Sequence, residues 1–134
     1  MARYGMDITV QGSIDDVRAK LETALKSQGF GILTEIDVKQ TLKKKLDVDF
    51  RPYYILGACN PPLAHQSLQA DPSIGLLLPC NVVIQSVEQG IRVSILDPEV
   101  MFSVVDPETQ ALMGDLPQQV KTRLQAALDA LAGA

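Results

Sequence analysis

The chain of 134 residues has a formal net charge of −4, with 46% apolar and 21% charged residues, a globular rather than a disordered balance. Its acidic surface would repel phosphate backbones, so we expect no nucleic-acid partner. The longest apolar run is too short to span a bilayer, so we expect no membrane partner, and the length suits a single domain over 1–134.

The first predicted elements are a strand and an amphipathic helix. Apolar residues alternate with smaller or polar residues over 4–10, which is typical of a half-buried strand. Ser13 is placed to cap the helix that follows, and Gly29 can adopt the left-handed conformation that ends a helix. The apolar positions of this helix repeat at spacings of three and four: Ile14, Val17, Leu21 and Leu25.

The next segment, FGILTEIDV, is rich in β-branched residues and predicts a second strand. Strict alternation places Glu35 and Asp37 on one face of this strand. The opposite face would carry these residues: Phe30, Ile32, Thr34 and Ile36. The segment KQTLKKKLD then predicts one or two helical turns with Leu42 and Leu46 facing inward, and its three lysines are interpreted as a solvated helix face.

A third strand is predicted over FRPYYILGAC, and it leads directly into a helix. Asn60 is a favourable N-cap and Pro61 suits the first helical position, so this helix is expected over 61–70. The apolar segment IGLLLPCNVVIQSV predicts another strand, which Pro79 interrupts, so that a bulge, an edge position or a break between two segments is expected there. The short turn EQG joins it to IRVSIL as an antiparallel hairpin.

The rest of the chain is predicted to be helical. Asp97 with Pro98 begins one short helix, and Asp106 with Pro107 begins another. A final amphipathic helix has these apolar positions: Val120, Leu124, Ala127, Leu128 and Leu131. This order of elements predicts a two-layer α+β sandwich, with one curved, mainly antiparallel sheet and helices on one face. The other face would need cover, so we expect a homodimer.

The reactive side chains are concentrated between residues 56 and 81, which include both cysteines, the single histidine and four of the eight prolines. Cys59 ends the third strand before a helix N-terminus, whose partial positive charge is expected to lower the pKa of this thiol if the sulfur points toward it. Cys80 follows Pro79, and His65 lies about one turn into the helix. Because the ends of neighbouring strands commonly meet, we expect Cys59 and Cys80 to approach each other.

These residues leave three interpretations of function open. Cys59, Cys80 and His65 would form a binding site for a small ligand or for a soft metal such as zinc, copper or iron, although a closed zinc site needs a fourth ligand. The two thiols would instead serve a redox or sulfur-transfer enzyme. Free cysteines also pack as small core residues, so a structural protein with inert thiols is the third interpretation. The first is preferred, because the thiols and the imidazole surround one strand-to-helix junction.

Four polar residues are secondary candidates for a site. Glu35 and Asp37 would bind a hard cation or act as acid and base, or else form an exposed polar face bridged by a lysine. Asn60 is interpreted first as a helix cap and Asn81 as a turn-stabilising amide. None of the four identifies a substrate.

Several motifs resemble those of a known family. They are TEIDVK at 34–39, LGACNP at 56–61, LLPCNV ending at Val82, and the pair Asp97-Pro98. Over about 4–131 the chain resembles the domain of unknown function 302 family, in its cysteine-bearing branch. The resemblance implies a two-layer fold of the TATA-binding-protein-like class and a dimer, and it implies no activity.

The opening residues, MARYGMDITVQG, lack the apolar segment of a secretory signal, so no signal peptide is expected. Two cysteines without an export signal suit a reducing compartment. We therefore expect a cytoplasmic protein.

Overall fold

The computed structural model describes residues 4–133, and Met1 to Arg3 and Ala134 lie outside the described residues. Met1 to Arg3 begin the stretch in which no signal peptide is expected. The strands are β1 Gly5–Val10, β2 Gly31–Asp37, β3 Tyr53–Cys59, β4 Cys80–Val87 and β5 Gly90–Leu96. The helices are α1 Ile14–Ser27, α2 Val38–Leu46, α3 Pro61–Ala70, α4 Pro98–Phe102, α5 Pro107–Met113 and α6 Leu116–Ala132, with a 3₁₀ helix over Pro72–Leu77.

The described strands form one antiparallel sheet in the order β1-β5-β4-β3-β2, with helices packed on it. The predicted α+β class is therefore confirmed, as is the β4–β5 hairpin. Helix α3 has the predicted bounds, 61–70. None of the helices within 4–133 has the length and apolar character needed to cross a membrane.

Helix α1 joins β1 to β2, the two edge strands, so the connection between them passes over the helix-covered face of the sheet. Ser13 caps this helix as predicted, accepting a hydrogen bond from the Asp16 N–H (3.1 Å), and Gly29 follows its end with φ at 84°.

The main hydrophobic core lies between the sheet and the helices α1 and α6. The helix positions predicted from spacing are buried here, among them Val17, Leu21 and Leu25 on α1 and Leu124 and Leu128 on α6. The sheet contributes alternate residues of its central strands: Leu56, Ala58, Val82, Ile84, Val93 and Ile95. Alternation along each strand therefore gives the sheet one helix-covered face and one open face.

A second, smaller core lies at the end of the sheet where β3 ends and β4 begins. Strand β5 also ends there, so the segments 60–79 and 97–116 both leave the sheet at this end. We call these two segments the cap. Their buried apolar residues pack together: Leu63, Ile74, Met101, Phe102, Met113 and Leu116.

Strict alternation fails in β2 because its pairing is irregular between Ile32 and Thr34. Ile32 pairs with Ala58 on the helix-covered face, whereas Thr34 pairs with Gly57 on the open face. The prediction that Ile32, Thr34 and Ile36 share one face is therefore wrong. One inserted residue is enough to reverse the side-chain pattern of the strand that follows it.

Two further predictions need correction. Leu46, expected to face inward, is 66% exposed, because α2 is a surface helix in which no residue is buried. Leu42 on the same helix is partly buried. The apolar residues ahead of Pro79 form the 3₁₀ helix and not a strand, so Pro79 marks a break between that helix and β4.

The open face of the sheet carries an apolar row. Ile36, Ile55 and Val83 are neighbours in register across β2, β3 and β4. Neither core of the described structure includes these three residues, and Ile36 is 49% exposed. This row places apolar side chains on a face that the helices do not cover.

Gly57 lies in β3 at a place with no room for a side chain. A Cβ here would overlap the Thr34 hydroxyl and the Pro79 ring, so we expect Gly57→Ala to lower the free energy of unfolding by about 1–3 kcal/mol. Gly31→Ala is the matched control, because a Cβ at Gly31 meets nothing within 4 Å. We expect it to change stability by less than about 0.5 kcal/mol. Urea unfolding measures both variants, and equal losses would contradict the close packing around Gly57.

Candidate functional site

A small cavity lies at the seam between the main core and the cap. Its volume is about 40 Å³, and its walls come from the ends of β3 and β4 and from α3, α4 and α6. Cys59 and Cys80, which are far apart in the chain, both line it. Both positions therefore border one cavity, and the expectation that their sulfurs approach each other stays a prediction.

The pairing of β3 with β4 places the two cysteines. Ala58 pairs with Cys80, and both are buried on the helix-covered face. Because side chains alternate along a strand, Cys59 lies on the opposite face, where its neighbour on β2 is Gly31. The two residues therefore reach the cavity from different faces of the strand pair, and both thiols are free.

Asn60 is buried at the junction of β3 and α3, and it caps the helix as predicted. Its Oδ1 accepts a hydrogen bond from the Leu63 N–H (3.3 Å), and its Nδ2 donates to the carbonyl of Gln28 (3.5 Å). Pro61 occupies the first turn, where it has no N–H to offer. The positive end of α3 is therefore already engaged by Asn60 and not by the Cys59 thiol.

Burial raises the pKa of both thiols. It raises the pKa of Cys80 to about 12, with a smaller contribution from the negative charge of Asp97. It also raises the pKa of Cys59. The expected lowering of the Cys59 pKa is therefore wrong in direction, because desolvation acts while Asn60 occupies the helix end. Both thiols are protonated near neutral pH, and a protonated thiol is a poor nucleophile.

The other polar groups of the cavity wall are paired with the backbone. The Cys80 Sγ donates to the carbonyl of Leu96 (3.7 Å), and the Ser67 hydroxyl donates to the carbonyl of Leu63 (3.0 Å). Across residues 4–133, every buried side-chain nitrogen and oxygen has a hydrogen-bond partner. Apart from the Cys59 thiol, the polar side chains that line the cavity are therefore hydrogen-bonded to the backbone.

His65 and Asn81 lie outside the cavity. His65 is exposed on α3, and Asn81 is exposed within β4, where it pairs with Gly57 instead of stabilising a turn. In the part of the chain that the structure describes, no three His, Cys, Asp or Glu residues are grouped so that they could hold a metal ion. The candidate set of Cys59, Cys80 and His65 is therefore not assembled as three ligands.

The carboxylates of Glu35 and Asp37 lie on one face of β2, as predicted, but away from the cavity. Arg18 on α1 forms an ion pair with Glu35 and lies over the Tyr54 ring, 5.4 Å from its centroid. The bridging cation is therefore an arginine and not a lysine. Asp37 accepts a hydrogen bond from the Gln40 N–H (2.9 Å) and caps α2. Both carboxylates thus have structural partners.

Most of the residues that line the cavity could not be predicted from the sequence. Phe30, Met101, Phe102 and Val120 belong to three separate segments, and no spacing rule connects them. The segment PEVMFSVV was predicted as a short helix, and two of its apolar residues, Met101 and Phe102, are buried against the cavity. Only the two cysteines and Asn60 gave a signal that pointed to this place.

The raised pKa of Cys80 predicts a loss of stability at alkaline pH. The unfolded chain releases the thiol proton near pH 9.0, whereas the folded chain keeps it until about pH 12. Stability should therefore fall as pH rises through this window, by at most about 1.4 kcal/mol per pH unit from this one group. Urea unfolding of Cys80→Ala should show a shallower slope than the wild type. Cys59→Ala, which removes a less buried thiol, should change the slope less, and an unchanged slope in Cys80→Ala would contradict the shift.

The chain matches the family model described as Domain of unknown function DUF302 over residues 6–131. It is similar to a solved structure, the crystal structure of an uncharacterized conserved DUF302 protein from Bacillus stearothermophilus, with 29% identity and a TM-score of 0.85. That match covers 96% of this chain and 98% of the other. No curated protein matches the chain. Because the family model spans nearly the whole sequence, the resemblance is confirmed, and the chain belongs to the DUF302 family.

Proposed function

We propose that this protein is a binding module that takes a small ligand in the cavity lined by Cys59 and Cys80. The observation that carries the proposal is the convergence of two scarce thiols from separate strands on one cavity. The cavity lies where two packed units meet, and ligand sites commonly form at such places. Its lining residues Ala64 and Pro79 are only half-buried, which brings the cavity close to the surface.

A soft metal is the competing occupant of the same cavity. It would have to displace a proton from each thiol, and the raised pKa of Cys59 and Cys80 opposes this. A redox or sulfur-transfer enzyme is less favoured for the same reason, because it needs a thiolate. Inert packing is the remaining alternative, since Cys80 is buried among core residues.

Access of a small reagent to Cys80 tests the proposal. In the Cys59→Ser background, methyl methanethiosulfonate can modify only Cys80, and intact-mass spectrometry follows the added group. Entry through local opening of the cap predicts a modification rate that does not change across low urea concentrations, because no global unfolding is needed. A rate that rises with urea in parallel with global unfolding would mean a sealed core and would contradict the proposal.

Two matched leucine substitutions on α3 locate the route of entry. Ala64→Leu fills the rim of the cavity and should slow modification at least about fivefold, equivalent to about 1 kcal/mol. Gln66→Leu adds the same side chain on the exposed side of α3, so the rate should stay within about twofold of the wild type. Equal rates in the two variants would place the route elsewhere.

We also propose that the binding module is a homodimer joined through the open face of the sheet. The support is the row of Ile36, Ile55 and Val83, which the helices do not bring into either described core. Contiguous exposed apolar surface commonly marks an interaction site. A two-fold axis would let one copy of this face cover the other.

Ile55→Arg should convert the dimer into a monomer, because it would bury an unpaired charge at the centre of the interface. Sedimentation velocity should then show the mass of one chain in place of two. Leu112→Arg is the matched control, since Leu112 is an exposed leucine of the cap (69%) and its replacement should leave the dimer intact. A wild-type protein that sediments as a monomer at high concentration would rule out the interface.

We propose a cytoplasmic location for this protein. The support is that Cys59 and Cys80 are both free, and free thiols persist where cellular reductants keep them reduced. Fractionation of the native cells would test the location, and recovery of the protein outside the cytoplasm would contradict it.

A further inference from the structure

We infer that the ligand of this cavity is an uncharged, polarisable molecule of about two to four non-hydrogen atoms. The inference rests on the proposed binding function and adds the chemical class of the ligand. Four properties of the cavity carry it: its size, its paired polar groups, its lack of charged side chains and the atoms of its walls.

The size of the cavity limits the ligand. At about 40 Å³, it is roughly a quarter of the about 150 Å³ of an apolar cavity that holds benzene. A space of this size holds about three water-sized probes, since each needs about 10–15 Å³. An aromatic ring, a nucleotide or a sugar is therefore too large to lie wholly within this volume.

Apart from the Cys59 thiol, the polar side chains of the cavity wall already have hydrogen-bond partners in the backbone. Asn60 is held between Leu63 and Gln28, while Ser67 and Cys80 each donate to a backbone carbonyl. A ligand with strong hydrogen-bonding groups would leave those groups unpaired in the cavity, which costs free energy. The cavity therefore favours a weakly polar or apolar occupant.

Charged side chains are missing from the residues that line the cavity in the described structure. Asp97, whose charge acts on Cys80, is paired with Lys121 at 2.9 Å. An anion or a cation bound inside would have no opposite charge to compensate the loss of water. A soft cation would also have to remove the Cys80 proton, which the folded protein holds until about pH 12. The ligand is therefore uncharged.

The walls offer dispersion contacts. The sulfur-containing residues Cys59, Cys80 and Met101 and the aromatic residues Phe30 and Phe102 belong to the lining. Thioether and thiol sulfur are polarisable, and many weak contacts to such atoms add up. A polarisable ligand gains more dispersion energy from these walls than water does. Xenon, a single polarisable atom, is the simplest probe of such contacts.

Methyl-detected NMR under xenon pressure tests the inference on the full chain. Xenon should shift the methyl resonances of lining residues such as Leu63, Met101 and Val120, and the shifts should saturate. Ala64→Leu should weaken xenon binding by at least about tenfold, while Gln66→Leu should change it less than about twofold. Val120→Phe, which fills the cavity from α6, should also weaken it and guards against a folding defect in Ala64→Leu. Silver(I), added to the reduced protein, should not bind stoichiometrically.

Three other outcomes would contradict the inference. Stoichiometric silver(I) binding that Cys80→Ser abolishes, without xenon binding, would reject the uncharged ligand and leave the binding function standing. If neither xenon nor silver(I) binds, both the uncharged ligand and the proposed binding function are rejected. Xenon binding that persists in Ala64→Leu and in Val120→Phe would lie outside this cavity and would also reject the inference.

Discussion

The antiparallel pairing of β3 with β4 is the constraint on which the candidate site depends. The pairing of Ala58 with Cys80 sets the start of β4 beside the end of β3. A slip of one residue would turn Cys80 away from the core and bring Asn81 into it, so the hydrophobic pattern resists such a slip. Gly57 reinforces the register, because its missing side chain leaves room for Thr34 and Pro79.

The cap is built from short helices, which need strong signals at their first residues because a short helix is barely stable alone. Each starts at an Asn or Asp followed by proline, which presets the backbone angle, and in all of them except the helix that begins after Asp106 the side chain also caps the helix. The four pairs are Asn60-Pro61, Asp71-Pro72, Asp97-Pro98 and Asp106-Pro107. The cap thus takes its shape from local chemistry, whereas the sheet takes its shape from pairing over long distances.

This division explains how much could be predicted from the sequence. Helix starts such as Ser13 and Asn60, and the apolar spacing of α1 and α6, are local signals, and the structure confirms them. The irregularity in β2 was missed, because alternation alone does not reveal an inserted residue. The cavity was only partly predicted, since its wall is assembled from segments that meet only after folding. The Cys59 pKa was expected to fall because the helix end was visible in the sequence and burial was not.

The two cap segments leave the sheet at strand ends, and this arrangement has a consequence for how members of the family can diverge. Insertions or replacements within 61–78 or 98–116 would leave the strand pairing unchanged, whereas Asn60 and Pro79 at the borders contact Gln28 and Gly57. Evolution could therefore remodel the chamber beneath these segments, in volume and in chemistry, on an unaltered scaffold. Sequence divergence in the family should then concentrate at this one end of the molecule.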